Sequence, residues 1–373
     1  MRYEKKNLLK KKKIYLRSYT LNIQSAKQAL DKVIAKSRVH LYKPIQIAEI
    51  LYRDRTKGDI DLSDLKTYRN ASKKWRDLIC LQFLGRTSTS SARYQDDIFN
   101  ENAIPPLVLA ILGEENRKKN GAVEAYIYRK FQERFSQMIS GLDYCRNRSV
   151  SNFNLTEFLN LFWEEPGLRR SIDKIYEIIV YALFSSLISA LEVSIEVSIN
   201  SDQMDVLEEF GDFTEKVLTL SKDMPSFRLD ARINRLGVTN AADRGLDIWT
   251  NFGMAIQIKH LSLTEKLAKD IVSSVSADRI VIICKDVEKN VILSLLNQIG
   301  WRARIQSVIT ENDLLLWYEK ALRGKFSCVL GEKTLENIQQ EIALEFPTTN
   351  TEEFDEFFQS RYAGLDKDGI WNG

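Results

Sequence analysis

The segment Ala241–Leu263, which reads AADRGLDIWTNFGMAIQIKHLSL, holds the residue types that best suit chemistry. Asp247 stands ten residues before Gln257, and Lys259 follows two positions later. Because side chains two apart in a strand share a face, we expect Gln257 and Lys259 to point the same way, with Ile258 opposite. A carboxylate oxygen of Asp247, the amide carbonyl of Gln257 and the main-chain carbonyl of Ile258 are oxygen ligands of the kind Mg²⁺ prefers. The spacing therefore predicts a magnesium site.

This set of groups suits phosphodiester hydrolysis. A bound Mg²⁺ polarises a scissile phosphate and lowers the pKa of a bound water. The ammonium of Lys259 is a compact charge that can hold or help deprotonate the attacking water, and it offsets charge in the transition state. His260 points to the other side of the strand, and we expect a structural or DNA-backbone role for it.

The elements around this segment predict an α/β core. Leu246–Trp249 and Met254–Leu261 form a hairpin across the turn Thr250–Gly253, in which Asn251 and Gly253 suit positive φ. The chain then predicts further elements of a mixed central sheet flanked by helices, as follows: a helix over Leu263–Val275, a buried strand over Arg279–Cys284, a helix over Val287–Ile299 and a strand over Trp301–Val308.

Before the hairpin, the sequence predicts helices up to about Leu220, and Arg228–Gly237 can be extended. Apolar spacing predicts a largely helical N-terminal region, and the polar stretch Asp143–Asn154 marks a boundary between residues 1–150 and 151–373. The second part includes an acidic amphipathic helix over Asp202–Leu220 and, after Phe346, an acidic segment expected to be a solvated helix.

Charge is divided unevenly along the chain. Residues 1–100 hold 23 Lys and Arg against 10 Asp and Glu, whereas the net charge of the whole chain is only +3. Such a region is either an ordinary solvated surface or an electrostatic footprint for DNA, and we expect the second. The predicted DNA contacts lie around Trp75, in the loop after Gly85 and just before the hairpin, and they are Lys73, Lys74, Arg76, Arg86, Ser88, Thr89, Ser90, Arg93, Arg232, Asn234 and Arg235.

The hairpin motif resembles the PD-(D/E)xK nuclease superfamily in its glutamine variant. Leu246-Asp247 stands in the place of Pro-Asp, and Gln257-Ile258-Lys259 in the place of (D/E)xK. Longer segments over about residues 25–300 are similar to the family of HaeII-type type II restriction endonucleases, namely SRVHLYKPIQIAEILYRDR from Ser37, TYRNASKKWRD from Thr67, LGRTSTSSARYQD from Leu84 and the hairpin itself. The resemblance implies a restriction-endonuclease-like core and Mg²⁺-dependent cleavage of both DNA strands at a short GC-rich palindrome.

A neutral glutamine contributes less to cation affinity than a carboxylate, so another acid is expected at the site. In the superfamily, a glutamate from the preceding helix often helps. Glu208 and Glu209 are the first candidates, as further metal ligands beside Asp247, Gln257 and Ile258, and Asp243 is the second.

Two other functions stay open at this point: a sequence-specific DNA-binding protein with an inactive nuclease-like core, and a structure-selective DNA repair nuclease. Cutting a palindrome on both strands needs two active sites related by a two-fold axis, so we expect a homodimer. The four cysteines are far apart, the longest apolar run has 14 residues and no signal-peptide pattern follows the basic start. We therefore expect a soluble, cytoplasmic protein with reduced thiols, no membrane partner and no nucleotide cofactor.

Overall fold

The structure is a computed structural model that describes residues 22–38, 40–88, 92–164, 168–236, 246–275, 277–287, 305–346, 351–365 and 370–371. Asp243, Thr89 and Ser90 lie outside the described residues, and so does nearly all of the helix expected over Val287–Ile299.

The N-terminal part is helical, as its apolar spacing predicts. The first helix begins at a capping box, in which Asn22 and Ser25 satisfy each other's main-chain N–H groups. The second ends at Gly58, whose φ of 62° lies in the left-handed region that glycine tolerates. The described helices of this part are α1 (Ile23–Lys36), α2 (Tyr42–Lys57), α3 (Ala71–Leu84), α4 (Ala92–Asp96), α5 (Pro106–Lys118) and α6 (Ala122–Arg146).

A five-stranded mixed sheet forms the centre of the rest of the chain. Its described strands lie in sequence order, as β3 (Ile233–Arg235), β4 (Ile248–Thr250), β5 (Met254–Lys259), β6 (Arg279–Cys284) and β7 (Ile305–Thr310). The pairs β3–β4 and β4–β5 are antiparallel, whereas β5–β6 and β6–β7 are parallel. A separate two-stranded sheet pairs β1 (Ser194–Ser198) with β2 (Ser226–Asp230).

Helices cover both faces of the mixed sheet. Alternate strand residues such as Ile256 and Ile258 pack in a core with long helices, whereas Ala255 and Ile280 face a shorter one. Alternation of this kind follows from the two-residue period of a strand. The described helices are α7 (Leu155–Glu164), α8 (Ile172–Ala190), α9 (Met204–Glu209), α10 (Gly211–Phe213), α11 (Glu265–Ser274), α12 (Glu311–Arg323), α13 (Ser327–Glu345) and α14 (Thr351–Tyr362). This architecture confirms the expected fold class.

Three local predictions differ from the structure. The acidic segment Asp202–Leu220 is not one helix, because α9 stops at Glu209 and short helical turns follow from Gly211. A strand, β1, interrupts a stretch expected to be helical throughout. The acidic segment after Phe346 is helical but not simply solvated, because its aromatic side chains pack inward.

The packing divides into two large cores. One core includes buried apolar residues from Ala26 to Phe131, together with Phe354, Tyr362 and Trp371. The other runs from Met138 to Phe346. A boundary near residue 150 stays a prediction, and the C-terminal helix α14 packs with the N-terminal core. None of the described helices is both long and apolar enough to span a membrane.

Candidate active site

The hairpin that carries the predicted site has a tight turn between β4 and β5. Gly253 has a φ of 85°, as expected, but the prediction of positive φ was wrong for Asn251. The Asn251 side chain is used instead to fasten the turn, because its Oδ1 accepts from the Arg232 N–H at 2.7 Å and its Nδ2 donates to the Asp230 carbonyl at 3.0 Å. Thr250 Oγ1 also bonds the main chain of Met254 at 3.0 Å. The turn therefore holds the two strands in a fixed register.

The register brings Asp247 beside Gln257. Ile248 pairs with Ile256, which places Asp247 opposite Gln257 across the two strands. Asp247 Oδ2 accepts a hydrogen bond from Gln257 Nε2 and another from the Ile258 N–H at 2.7 Å. Gln257 is buried at 3% exposure. The amide nitrogen of Gln257 is thus turned to the carboxylate, and its carbonyl oxygen is left for another partner.

A glutamate from helix α8 joins this site. Glu177 is 5% exposed, and its pKa is raised first by burial and in addition by the charge of Asp247. Lys174, one helical turn earlier, binds both carboxylate oxygens of Glu177, at 2.8 and 2.7 Å. The same ammonium also favours the ionised form of Asp247. The Lys174 ammonium therefore favours the ionised form of both carboxylates.

Burial dominates the protonation of both acids. Desolvation raises the pKa of Glu177 to about 7, against the opposing effects of Lys174 and Arg235. Desolvation also raises the pKa of Asp247, while the hydrogen bond from the Ile258 N–H and the charges of Lys259 and Lys174 act in the opposite direction. Two desolvated carboxylates with a shared need for positive charge are typical of a cation site.

Lys259 completes the charged groups on the hairpin. Its ammonium is close enough to lower the pKa of both Asp247 and Asp173. Asp173, in the first turn of α8, shares a hydrogen bond with His260 Nδ1. The ring of His260 also lies 5.7 Å from the ring of Trp163. His260 is therefore tied to helices on the other side of the strand from Gln257.

The residues at this site fit a hard divalent cation. Among the described residues no group of three or more His, Cys, Asp and Glu side chains could hold a metal ion. Mg²⁺ does not require one, because it keeps several waters and binds one or two carboxylates with neutral oxygens. In a site of this kind, Asp247 and Glu177 could supply two carboxylates, and the Gln257 and Ile258 carbonyls could supply neutral oxygens. In the structure the Lys174 ammonium supplies positive charge at this place, bound to Glu177.

The acids expected at this site from the sequence lie elsewhere or outside the described residues. Glu208 forms an exposed ion pair with Lys222 at 3.2 Å, and Glu209 is also exposed. Their part in metal binding stays a prediction, whereas Glu177 is electrostatically coupled to Asp247. The sequence carried a signal for Glu177: an acid at the start of an apolar helical run, with a lysine three residues before it.

Three arginines expected to contact DNA are bound by other groups of the protein, and the side chains of two of them, Arg76 and Arg235, are buried. Arg76 is 2% exposed and donates to Asp77 and Gln46. Arg86 binds His40 and the main-chain carbonyls at the end of α13. The Arg235 side chain is 1% exposed and lies among three carboxylates, at 2.8, 3.0 and 3.7 Å. Burial of this kind favours a structural role, and contact of these side chains with DNA stays a prediction.

The acidic partners of Arg235 are Glu341, Glu345 and Glu177. Arg235 therefore ties helix α13 to the glutamate that is coupled to Asp247.

The other expected DNA contacts are less enclosed. Lys73 is bound to Asp96 at 3.0 Å. Asn234 and Ser88 are half-buried, and the exposed members of the set are Lys74, Arg93 and Arg232. Their contact with DNA also stays a prediction.

Fold and site together define a class of protein. A mixed sheet flanked by helices, with Asp247 and the Gln257–Lys259 pair on its hairpin, has the arrangement of the restriction-endonuclease-like α/β proteins.

Comparison with known proteins gives the family. The family model of the HaeII restriction endonuclease matches residues 26–363. The chain is 64% identical over 340 residues to the type II restriction enzyme HaeII of Haemophilus aegyptius, covering 91% of this chain and 97% of that protein. It is 59% identical over 343 residues to the type II restriction enzyme NgoBI of Neisseria gonorrhoeae, covering 92% and 97%. No solved structure matches. The chain therefore belongs to the HaeII restriction endonuclease family.

Proposed function

We propose that this chain, a type II restriction endonuclease by its family, uses Mg²⁺ to hydrolyse phosphodiester bonds of double-stranded DNA at a short GC-rich palindrome. The observation that carries the proposed site is the hydrogen bonding of Asp247 by Gln257 and by the Ile258 N–H, with the buried Glu177 of α8 near enough for the charge of Asp247 to raise its pKa. The family assignment supports the reaction class, and the donor set supports a hard divalent cation.

Four groups would hold the cation in this proposal: the carboxylates of Asp247 and Glu177, the amide oxygen of Gln257 and the main-chain carbonyl of Ile258. The bound ion supplies Lewis acidity at the phosphate and lowers the pKa of a coordinated water. Gln257 Nε2 and the Ile258 N–H orient Asp247 by occupying Oδ2, which leaves Oδ1 for the cation.

Lys259 is proposed to position the attacking water and to offset the charge that develops on the phosphate. Its side chain is at the end of β5 and is partly exposed, so a nucleic-acid backbone can approach it. Lys174 contacts both carboxylate oxygens of Glu177 and opposes the rise of its pKa that burial causes. Its charge therefore favours the protonation state that a cation ligand needs.

Cleavage of both strands of a palindrome supports a homodimer as the working unit, because each strand needs its own active site in a symmetric arrangement. Sedimentation of the protein on cognate DNA tests this part. A mass of two protomers for each site supports it, and a mass of one protomer contradicts it. The proposal also places the protein in the cytoplasm, where the DNA is.

The deciding experiment incubates the purified protein and DNA of known sequence with Mg²⁺ and maps the fragment ends. Discrete ends at one short GC-rich palindrome are the expected result. Matched reactions contain a chelator in place of Mg²⁺, or the Asp247→Ala variant, and we expect neither to cut. DNA retardation without cleavage would contradict the proposal and favour an inactive nuclease-like core, and cleavage only at branched DNA would favour a repair nuclease.

A further inference from the structure

The carboxyl ends of two parallel strands, β5 and β6, meet beside the candidate active site. Lys259, the last residue of β5, pairs with Cys284, the last residue of β6. The next residue of that strand, Lys285, donates its N–H to the Leu261 carbonyl at 3.2 Å. One step further, the Leu263 N–H donates to the Asp286 carbonyl at 2.7 Å. Lys285 is therefore held by main-chain hydrogen bonds beside the segment that follows Lys259.

Trp163, near the end of α7, contacts Lys285 and a second cation, Arg169, at this edge of the sheet. The Lys285 ammonium lies 5.2 Å from the centroid of the Trp163 ring, and the Arg169 guanidinium lies 5.8 Å from it. Both distances are those of cation–π contacts. The ring of His260 is 5.7 Å from the same ring. Trp163 is half-buried, whereas Arg169 and Lys285 are exposed. We call Trp163, Arg169 and Lys285 the Trp163 surface.

The cations of this surface have no carboxylate partner within the described part of the chain. Neither Arg169 nor Lys285 forms an ion pair there. The nearby Asp173 is taken up by His260. Asp286 directs Oδ1 to the Val287 N–H at 2.7 Å, and Glu164 is exposed at the end of the same helix as Trp163. Like charges held near one another, with no ion pair to either of them among the described residues, favour an anionic ligand.

We propose that the Trp163 surface binds a DNA phosphate that flanks the scissile bond, an inference that rests on the proposed function of the adjacent site. Lys285 follows Cys284, the register partner of Lys259. Its side chain lies on the Trp163 side of the sheet and that of Lys259 on the other side, but both stand at the carboxyl ends of the strands, which a DNA backbone at Lys259 would run along. The two cations cover the face of the Trp163 ring. The ring therefore holds the cations in place, and its face is not free to stack on a base. Lysine and arginine at such a place contact phosphate and carry no sequence information directly.

The test measures DNA affinity with Ca²⁺ in place of Mg²⁺, so that binding is followed without cleavage. Arg169→Gln, Lys285→Gln and the double variant are compared with Lys333→Gln, an exposed lysine of α13 that serves as a charge-matched control. Kd is measured by fluorescence anisotropy over a range of salt, with the cognate palindrome and with a scrambled duplex. Glutamine keeps most of the side-chain length and removes the charge.

We expect each variant of the surface to weaken binding to both duplexes by the same factor. The salt slope should fall by about 0.9 for each lost phosphate contact, which amounts to about eightfold in Kd at 0.1 M salt. In cleavage assays the KM should rise by the same factor while kcat stays within about twofold, because the groups of the hydrolytic site are unchanged.

Three outcomes overturn the inference. A double variant with the Kd and salt slope of the Lys333→Gln control would show that the surface does not bind phosphate. A loss confined to the cognate duplex would assign base contacts instead. If the wild-type protein binds neither duplex, both the proposed function and this inference are wrong. If the wild type binds and the variants are unaffected, only the inference about the Trp163 surface is wrong.

Discussion

Cationic side chains have different surroundings in the N-terminal helical region and at the sheet edge beside the hairpin. In the first region Arg76 is buried among Gln46, Gln95 and Asp77, and Lys73 is bound to Asp96. At the sheet edge Arg169 and Lys285 are exposed and unpaired within the described residues. The net charge of a region therefore does not locate a DNA-contact surface, because the partners of each charge decide what it can do.

We expect the largest effect from substitutions at the hairpin, and we expect it on the cleavage rate rather than on DNA binding. Asp247→Ala or Lys259→Ala should lower the cleavage rate by about a thousandfold or more, since each removes a group proposed to act on the reacting phosphate or its metal. DNA binding in Ca²⁺ should change by less than about tenfold. Plasmid cleavage and anisotropy measure the two effects. Wild-type cleavage by either variant would show that the site is assigned wrongly.

The second prediction separates the two candidate acids. Glu177→Gln should raise the Mg²⁺ concentration needed for half-maximal cleavage by roughly a hundredfold. Loss of a metal ligand or of its close neighbour typically lowers metal affinity about ten- to hundredfold. Glu208→Gln is the matched control, and its exposed pair with Lys222 should be dispensable. Cleavage rates over a Mg²⁺ titration measure both. A larger effect from Glu208→Gln than from Glu177→Gln would restore the acid expected from the sequence.

The third prediction sharpens the contrast between buried and exposed arginines. Arg76→Ala should lower the free energy of unfolding by about 3 kcal/mol, because it leaves buried polar partners without a donor. Arg93→Ala, at an exposed position, should leave stability within about 0.5 kcal/mol and weaken DNA binding. Urea unfolding and anisotropy measure these effects. Unchanged stability in Arg76→Ala would mean that the buried network is not structural.

The fourth prediction concerns pH. Because the pKa of Glu177 is raised from 4.5 to about 7 in the folded chain, the folded state holds this proton more tightly than the unfolded state. Its contribution to stability is therefore full below pH 4.5 and is lost as pH rises towards 7. The metal-free wild type should lose about 2 kcal/mol more between pH 5 and pH 8 than Glu177→Gln does. Equal losses in urea unfolding at the two pH values would contradict the raised pKa.

The sequence predicted the part of the site whose geometry is local. Asp247 and Gln257 are ten residues apart on neighbouring strands, and a four-residue turn is enough to place them opposite each other. Glu177 comes from 70 residues upstream, and only the packing of α8 against β3 and β5 brings it to the hairpin. No spacing rule reports such a contact.

The sequence also contained no sign that two of the arginines are buried. Arg76 and Arg235 look like surface cations in sequence because their partners, Gln46, Glu341 and Glu345, are distant along the chain. The break at Gly211 also shows why the acidic helix was extended too far: the amphipathic pattern continues where the hydrogen-bonded helix does not.

The return of α14 to the N-terminal core has a consequence for how the protein is made. Phe354 packs edge-on against Phe83, and Arg361 supplies the counter-charge of the buried Glu49 at 2.6 Å. A ribosome adds these residues only after the whole second core has been synthesised. During synthesis the first core is thus left with an open aromatic face and a carboxylate lacking its cation. We expect the nascent helical region to reach its final packing only after the residues of the second core have been translated.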